Sequence, residues 1–193
     1  MHFLLGLAVS FFVSWSAQAA DITQRGHVAV IHGRINSGDE FILRDLLATP
    51  HGKQIRVIYL NSPGGFIFPM KEMARLIRNG GISTVVDGSK AICASACTGL
   101  FVAGVTRHYI NTSGIADGQQ KARGLGFHEG NSLARSGQRD YSGGATAEMI
   151  NVYYEMGVSN ASSFATKAGF KGMHYISGST ALGAGIATSL TLP

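Results

Sequence analysis

Short apolar runs alternate along this chain with segments that repeat apolar residues at helical spacing. Residues 27–31, 55–60 and 82–86 are the apolar runs, each predicted to be a strand, and the first suits a strand that is buried on both faces. Helical spacing follows the first two runs, in residues 41–47 and 69–77. This alternation predicts an α/β fold, in which a mostly parallel sheet is covered by helices.

Smaller residues continue the pattern in the second half of the chain. Composition predicts a closely packed helix over 91–104, and a short strand over 125–128 that ends at His128. Between them, 111–124 is a longer connection than is typical, and we expect a floppy surface insertion. A wall of a substrate cleft or an oligomer contact is the alternative for this loop. The remaining predicted helices are 145–156, 159–167 and 180–187.

The N-terminus has the pattern of an export signal. An apolar run over 3–15 is followed by small residues at Ala17 and Ala19, so we expect a signal peptide over 1–19 that is cleaved after Ala19. An uncleaved membrane anchor is the alternative. A single domain would then occupy 20–193, and its 45% hydrophobic and 14% charged content excludes a disordered chain. The signal predicts a periplasmic or extracellular protein.

Charge and cysteine content argue against several partners. The formal charge is +5, but Lys and Arg are scattered rather than clustered, which indicates a solvated surface and no nucleic-acid partner. Cys93 and Cys97 lie four residues apart without further ligands at zinc spacing, so no metal is expected. A disulfide and a pair of buried free thiols are equal alternatives for these cysteines. No organic cofactor is indicated.

Two glycine- and serine-bearing turns carry the candidate chemistry. The first, Asn61-Ser62-Pro63-Gly64-Gly65, follows a predicted buried strand and precedes a helix. Taken alone it is an ordinary strand-to-helix turn. Its paired glycines also allow backbone amides to approach a bound carbonyl without a Cβ in the way, and such amides stabilise an oxyanion.

The second turn is Cys93-Ala94-Ser95-Ala96-Cys97, after a strand and at the start of a helix. Ser95 alone is most simply a helix cap. The amides and the positive dipole end of the helix would nevertheless lie beside its hydroxyl, and small neighbours would leave that hydroxyl accessible.

Together these motifs resemble a known family. Leu60-Asn61-Ser62-Pro63-Gly64-Gly65, the serine turn some thirty residues later, and Gly126-Phe127-His128 occur in the order found in the proteolytic subunit of the Clp protease. The resemblance is closer to exported relatives with a Cys-Ala-Ser-Ala-Cys turn, and it covers about 27–187. It implies a ClpP/crotonase-like fold, a right-handed superhelix of ββα units. It also implies a peptide or protein substrate and self-association as a homo-oligomer.

The resemblance assigns roles to the motif residues. It implies that Ser95 is the nucleophile and His128 the general base, with oxyanion amides from Ala96 and the Gly64-Gly65 turn. The chemistry is consistent, because a serine hydroxyl needs a base titrating near neutrality. The alternative base is a lysine, Lys90 or Lys121, since signal peptide peptidase A has a related fold and uses a Ser-Lys pair.

One family position is changed. Where the Clp family has an aspartate to orient the histidine, this sequence has Met173, and no aspartate follows Asp140. His128 is then oriented by a backbone carbonyl, by Glu129, by Asp140, or by nothing. A catalytically silent protein that binds peptides or assembles with partners is therefore the alternative to a hydrolase. An acyl-CoA enzyme of the crotonase type ranks lower, because export removes the chain from the CoA pool.

Overall fold

The computed structural model describes residues 19–119 and 121–193. The predicted signal peptide, 1–19, therefore lies outside the described residues except for Ala19. In chain order the strands are β1 (Asp21–Arg25), β2 (Val28–His32), β3 (Val57–Asn61), β4 (Ser83–Asp87), β5 (Ile92–Ala94), β6 (Arg107–Ile110), β7 (Gly124–Phe127), β8 (Asn131–Leu133), β9 (Arg139–Tyr141) and β10 (His174–Ile176). The α-helices are α1 (Asp39–Ala48), α2 (Ile67–Asn79), α3 (Ala96–Ala103), α4 (Gly143–Glu155), α5 (Ser162–Ala165) and α6 (Gly178–Gly183).

The larger sheet has five strands in the order β1-β2-β3-β4-β6. Strands β2, β3, β4 and β6 are parallel to their neighbours, while β1 forms an antiparallel hairpin with β2. Helical segments connect the parallel strands, as such pairings require. This sheet confirms the predicted α/β class and the mostly parallel arrangement.

A smaller sheet of order β10-β7-β5 positions the functional residues. Strand β5 is parallel to β7, and β10 is antiparallel to β7. An isolated bridge between Ser62 and Cys93 attaches β5 to the end of β3. The two sheets therefore meet where the two turns singled out in the sequence lie.

Helix α3 occupies the centre of the molecule. All eight of its residues are buried, which its small and apolar composition permits. Close packing against α2 requires a glycine in one place, since a Cβ on Gly99 would lie 2.3 Å from the Met70 sulfur. No helix formed by the described residues is long and apolar enough to cross a membrane.

Several sequence-based elements need correction. The helix predicted over 91–104 begins only at Ala96, because 92–94 forms strand β5. The helix predicted over 159–167 is a 3-10 turn, Ser159–Ala161, followed by the short α5, and the last helix is α6, which lies earlier than 180–187. Strands β1, β6, β8, β9 and β10 were not predicted, and each has at most five residues.

The described part of the loop at 111–124 packs against the rest of the domain rather than being a flexible surface insertion. Ile115 is buried in the main core. Asp117 accepts hydrogen bonds from the Ser177 N–H at 2.7 Å and the Thr180 hydroxyl at 2.6 Å. These contacts join the described part of the loop to the segment that precedes and starts α6.

Candidate active site

Ser95 and His128 lie at the ends of two neighbouring parallel strands. Ser95 follows β5 and His128 follows β7, and in the β5–β7 register Ala94 is opposite Gly126. The Ser95 N–H donates a hydrogen bond to the Gly126 carbonyl at 2.9 Å, which continues the ladder past the end of β5. Because parallel strands end at the same sheet edge, the two residues lie at the same edge of the smaller sheet.

The Ser95 backbone is strained. Its φ of 55° and ψ of −128° lie outside the regions that non-glycine residues usually adopt. The residue forms a sharp turn from strand β5 into helix α3, the geometry that exposes a nucleophile in many hydrolases. Its side chain makes no capping hydrogen bond, so the structure does not use Ser95 as a helix cap. Such strain persists only where surrounding contacts hold it, and it is often associated with function.

The Gly64-Gly65 turn lies directly against this Ser95 turn. A Cβ built on Gly64 would be 2.6 Å from the Ala94 carbonyl oxygen, 2.7 Å from the Ser95 Cβ and 2.9 Å from the Ala96 nitrogen. Gly64 also has a φ of 94°, which side-chain-bearing residues rarely adopt. Only glycine permits this approach between the two turns.

Two backbone amides at this junction have no acceptor among the described residues. They are the N–H groups of Gly65 and of Ala96, the latter being at the first position of α3, where helical amides lack partners. The Gly64 N–H, in contrast, donates to the Ser62 hydroxyl at 3.1 Å. Of the three predicted oxyanion residues, Gly65 and Ala96 therefore have available donors, while Gly64 contributes the close approach.

A disulfide spans the turn. Cys93 and Cys97 are bonded, with an S–S distance of 2.08 Å and a Cα–Cα distance of 5.1 Å. Of the two alternatives that the sequence left open, the structure contains the disulfide. Cys93 lies in β5, before the helix begins, and this placement makes a bridge between residues four apart feasible.

The His128 ring is half-buried and has no carboxylate partner. Its Nδ1 atom is buried and accepts or donates no hydrogen bond among the described residues. Asp140, one of the candidates to orient the ring, instead accepts a hydrogen bond from the Tyr141 N–H at 2.8 Å. Burial lowers the pKa of His128, the Phe170 backbone partly opposes this, the positive charge of Arg139 lowers the pKa further, and the negative charge of Glu129, another predicted partner, raises it.

Met173 lies opposite His128. In the antiparallel β7–β10 ladder His174 is paired with Phe127, so one more step of the register places Met173 across from His128. Its side chain also packs on Gly126, whose Cβ, if present, would be 2.9 Å from the Met173 Cγ. Opposite residues on antiparallel strands have Cβ atoms about 5 Å apart, so a carboxylate here could reach the ring. A thioether cannot orient the ring as a carboxylate does.

A cleft of about 900 Å³ contains these groups. Ser95, His128 and Gly65 lie on its walls together with Met173. Neither Lys90 nor Lys121 lines it, and Lys90 is paired with Asp87 at 3.5 Å. Among the described residues, no group of three potential metal ligands is found. The basic residues that do line the cleft were not singled out in the sequence: Arg34, Arg139 and Lys171.

Comparison of the sequence with protein-family models and with curated proteins finds no match. Solved structures do match. The membrane-bound stomatin-specific protease 1510-N, in complex with a substrate peptide, is similar with a TM-score of 0.58 at 16% identity, over 85% of this chain and 74% of that one. A ClpP1 variant from Listeria monocytogenes has a TM-score of 0.58 at 14% identity, over 87% and 92% of the two chains.

The ClpP catalytic domain from Plasmodium falciparum is also similar, with a TM-score of 0.55 at 14% identity over 86% of each chain. At these identities the comparisons establish the fold and not the activity. The chain has a ClpP-like fold, which confirms the fold class that the sequence motifs implied.

Proposed function

We propose that this protein is a serine hydrolase that cleaves peptides, with Ser95 as nucleophile and His128 as general base. The observation that carries the proposal is the strained Ser95 turn, held against two unbonded amides in a cleft that His128 also lines. A peptide substrate is supported by the similar protease whose structure contains one. The ClpP-like fold supports the same class of reaction.

The reaction would proceed through an acyl-enzyme. The Ser95 hydroxyl passes its proton to His128 while its oxygen bonds to the substrate carbonyl carbon. The N–H groups of Gly65 and Ala96 stabilise the resulting oxyanion. His128 then gives the proton to the leaving amine, and water, activated by the same ring, hydrolyses the ester and restores the Ser95 hydroxyl.

The state of His128 suits a base. Since the Nδ1 atom of His128 is buried, we assign proton transfer to its Nε2 atom. No hydrogen bond joins the ring to the Ser95 hydroxyl among the described contacts, and catalytic hydrogen bonds often tighten only when substrate binds. A lowered pKa keeps the ring neutral further into the acid range. Activity should therefore rise with pH through a value below the usual 6.5 and level off above it.

Covalent labelling tests the proposal. A fluorophosphonate probe is expected to modify the purified protein on Ser95, because an activated serine beside an oxyanion site attacks phosphorus readily. Mass spectrometry of the digested adduct identifies the modified residue. Ser132 is the matched control. It lines the same cleft and is exposed, but it lies within strand β8 rather than in a strained turn.

Labelling of Ser132 instead of Ser95, or of neither, would overturn the hydrolase proposal. In the second case the silent peptide-binding protein becomes the better description. One observation favours that candidate: the unpartnered Nδ1 of His128. Binding of peptides without labelling would then define it.

Installing the absent acid should increase activity. Met173→Asp places a carboxylate opposite His128, where it would stabilise the protonated ring and raise its pKa. We expect turnover to increase about tenfold, a small part of the roughly 10⁴-fold that a triad acid contributes. The acid limb of the kcat/KM profile should move to higher pH.

Met173→Asn is the control, because it has nearly the same shape as aspartate without the charge. It should leave the acid limb where it is. If the aspartate and asparagine variants have the same pH profile, Met173 does not face the ring and His128 is oriented from elsewhere.

Export and self-association belong to the same proposal. The apolar segment before Ala19 supports secretion to the periplasm or the exterior, and the ClpP resemblance supports a homo-oligomer. The disulfide between Cys93 and Cys97 is consistent with an oxidising compartment.

A further inference from the structure

The candidate cleft is lined by basic side chains. Arg34, Arg139 and Lys171 line it, whereas no acidic residue does so within the described chain. Among the described residues, four of the sixteen Lys and Arg side chains form ion pairs, and none of these four lines the cleft. The cleft is thus a place where three basic side chains gather without a carboxylate.

Arg34 lies on the wall beside the glycine turn. The next residue, Ile35, bridges to Gly65, and its N–H donates to the Gly64 carbonyl at 2.9 Å. The guanidinium lies over the Phe66 ring, with its central carbon 5.9 Å from the ring centre. Arg34 is half-buried and forms no ion pair with any described carboxylate. Its position is therefore fixed by the same turn that holds the candidate oxyanion donors.

Arg139 also lines the cleft, from strand β9 of the β8–β9 hairpin, where it is exposed. Its Nη1 donates to the Asn131 side-chain oxygen at 2.9 Å, which holds the guanidinium against the hairpin. It too has no ion pair among the described residues. Its charge lowers the pKa of both Arg34 and His128, so the three groups share one neighbourhood. Two guanidinium groups of like charge thus line one cleft, and neither forms an ion pair with a described carboxylate.

We propose that this cleft selects peptides with a carboxylate beside the scissile bond, which Arg34 and Arg139 bind together. A carboxylate would remove the repulsion between the guanidinium groups, and their planar N–H donors match its two oxygens. The inference rests on the proposed peptidase function of Ser95. Both an Asp or Glu side chain and a C-terminal carboxylate supply this chemistry.

Nucleic acid is the less favoured anion. Phosphate backbones are bound by basic residues distributed along a groove or surface stripe, often with aromatic residues for stacking. Here the two arginines line the same cleft as the candidate nucleophile instead. A short oligonucleotide is nevertheless a necessary competitor in the test.

The experiment measures binding to the Ser95→Ala protein, so that no hydrolysis is needed. Three fluorescent peptides of one length are compared by anisotropy: one with an internal Glu and an amidated C-terminus, one with Gln in its place and the same amide, and one with Gln and a free C-terminal carboxylate. We expect at least one carboxylate peptide to bind about tenfold more tightly than the neutral peptide. The preferred carboxylate identifies the source.

Arginine variants assign the preference to the cleft. Arg34→Gln and Arg139→Gln, each in the Ser95→Ala background, should reduce the preference to about twofold or less, while binding of the neutral peptide changes little. Arg25→Gln removes the same charge from an exposed position on β1 outside the cleft and should keep the full preference. Unchanged thermal unfolding confirms that each variant is folded.

Equal binding of acidic and neutral peptides would overturn the inference, as would a preference that survives both cleft variants. Tighter binding of a single-stranded oligonucleotide, lost in the same variants, would replace it with a nucleic-acid site. If wild-type Ser95 is not labelled but the acidic preference persists, the hydrolase proposal fails and this binding site stands. If Ser95 is labelled and the preference is absent, the reverse holds.

Discussion

Replacing Ser95 by alanine is expected to reduce peptide hydrolysis about 10²-fold, well below the loss seen when a complete triad is broken. In complete triads, removing the serine costs about 10⁶-fold and removing the acid alone about 10⁴-fold, so a pair without its acid retains an advantage of about 10². The proposed Ser95–His128 pair would be in the second situation, because the His128 Nδ1 atom has no carboxylate partner among the described residues.

The same reasoning predicts non-additivity. His128→Gln alone should cost about as much as Ser95→Ala, and the double variant should be no slower than either, because the two residues act as one unit. The measurement is kcat/KM on a peptide that wild-type protein cleaves. Ser132→Ala, at another serine that lines the cleft, is the control and should retain full activity.

Losses that multiply in the double variant would show that the two residues act separately, and then His128 is not the base for Ser95. A loss near 10⁶-fold for Ser95→Ala would indicate that another group, such as the Phe170 backbone, does the work of the absent acid.

The sequence predicted the elements that contain long apolar runs. Strands β3 and β4 are largely buried, and the apolar runs that contain them stand out. Strand β2 also has an apolar run, but its residues alternate between buried and exposed, so it is not buried on both faces as predicted. Strands such as β5 and β10 have three residues each, too few to show a period of two. In β5 the small residues Cys93 and Ala94 also suit a helix, so the sequence predicts that the helix begins before Ala96. Only the tertiary pairing with β7 makes this segment a strand.

The same distinction between local sequence signals and tertiary contacts applies to the candidate site. Ser95, His128 and the glycine turn could be found because each follows an apolar strand and matches a family motif. The sequence could not show which amide in the turn is available, because the Gly64 N–H donates to the Ser62 hydroxyl only in the folded loop. Arg34 and Arg139 are far apart in sequence and converge only in three dimensions. No local pattern marks two arginines as facing one cleft.

The strained Ser95 turn is held by three backbone hydrogen bonds. The Ser95 N–H bonds to Gly126, the Ser62 N–H bonds to the Ile92 carbonyl at 2.7 Å, and the Ala94 N–H bonds to the Ser62 carbonyl at 3.1 Å. These bonds join both turns to the ends of β5 and β7. The glycine turn therefore serves two purposes, since it supplies an amide and also holds the turn that it faces. A substitution there should disturb folding and chemistry together.

Gly64→Ala is expected to lower the free energy of unfolding by about 3 kcal/mol and to slow fluorophosphonate labelling of Ser95 by at least about 10²-fold. A φ of 94° is strained for alanine, and the added Cβ would meet backbone atoms of Ala94 and Ala96 within 3 Å. The two turns must separate, and the amides of Gly65 and Ala96 then no longer converge on one oxyanion.

Gly81→Ala is the control that separates the effect of backbone strain from the effect of a steric clash. Gly81 also has a positive φ, of 63°, but a Cβ there would meet nothing within 4 Å. It should cost only about 1 kcal/mol and leave labelling unchanged. Urea unfolding measures the first quantity, and labelling below the unfolding transition measures the second. Should Gly64→Ala match Gly81→Ala in both, the glycine turn would not press on Ser95, and the oxyanion donors of the proposed hydrolase would have to lie elsewhere.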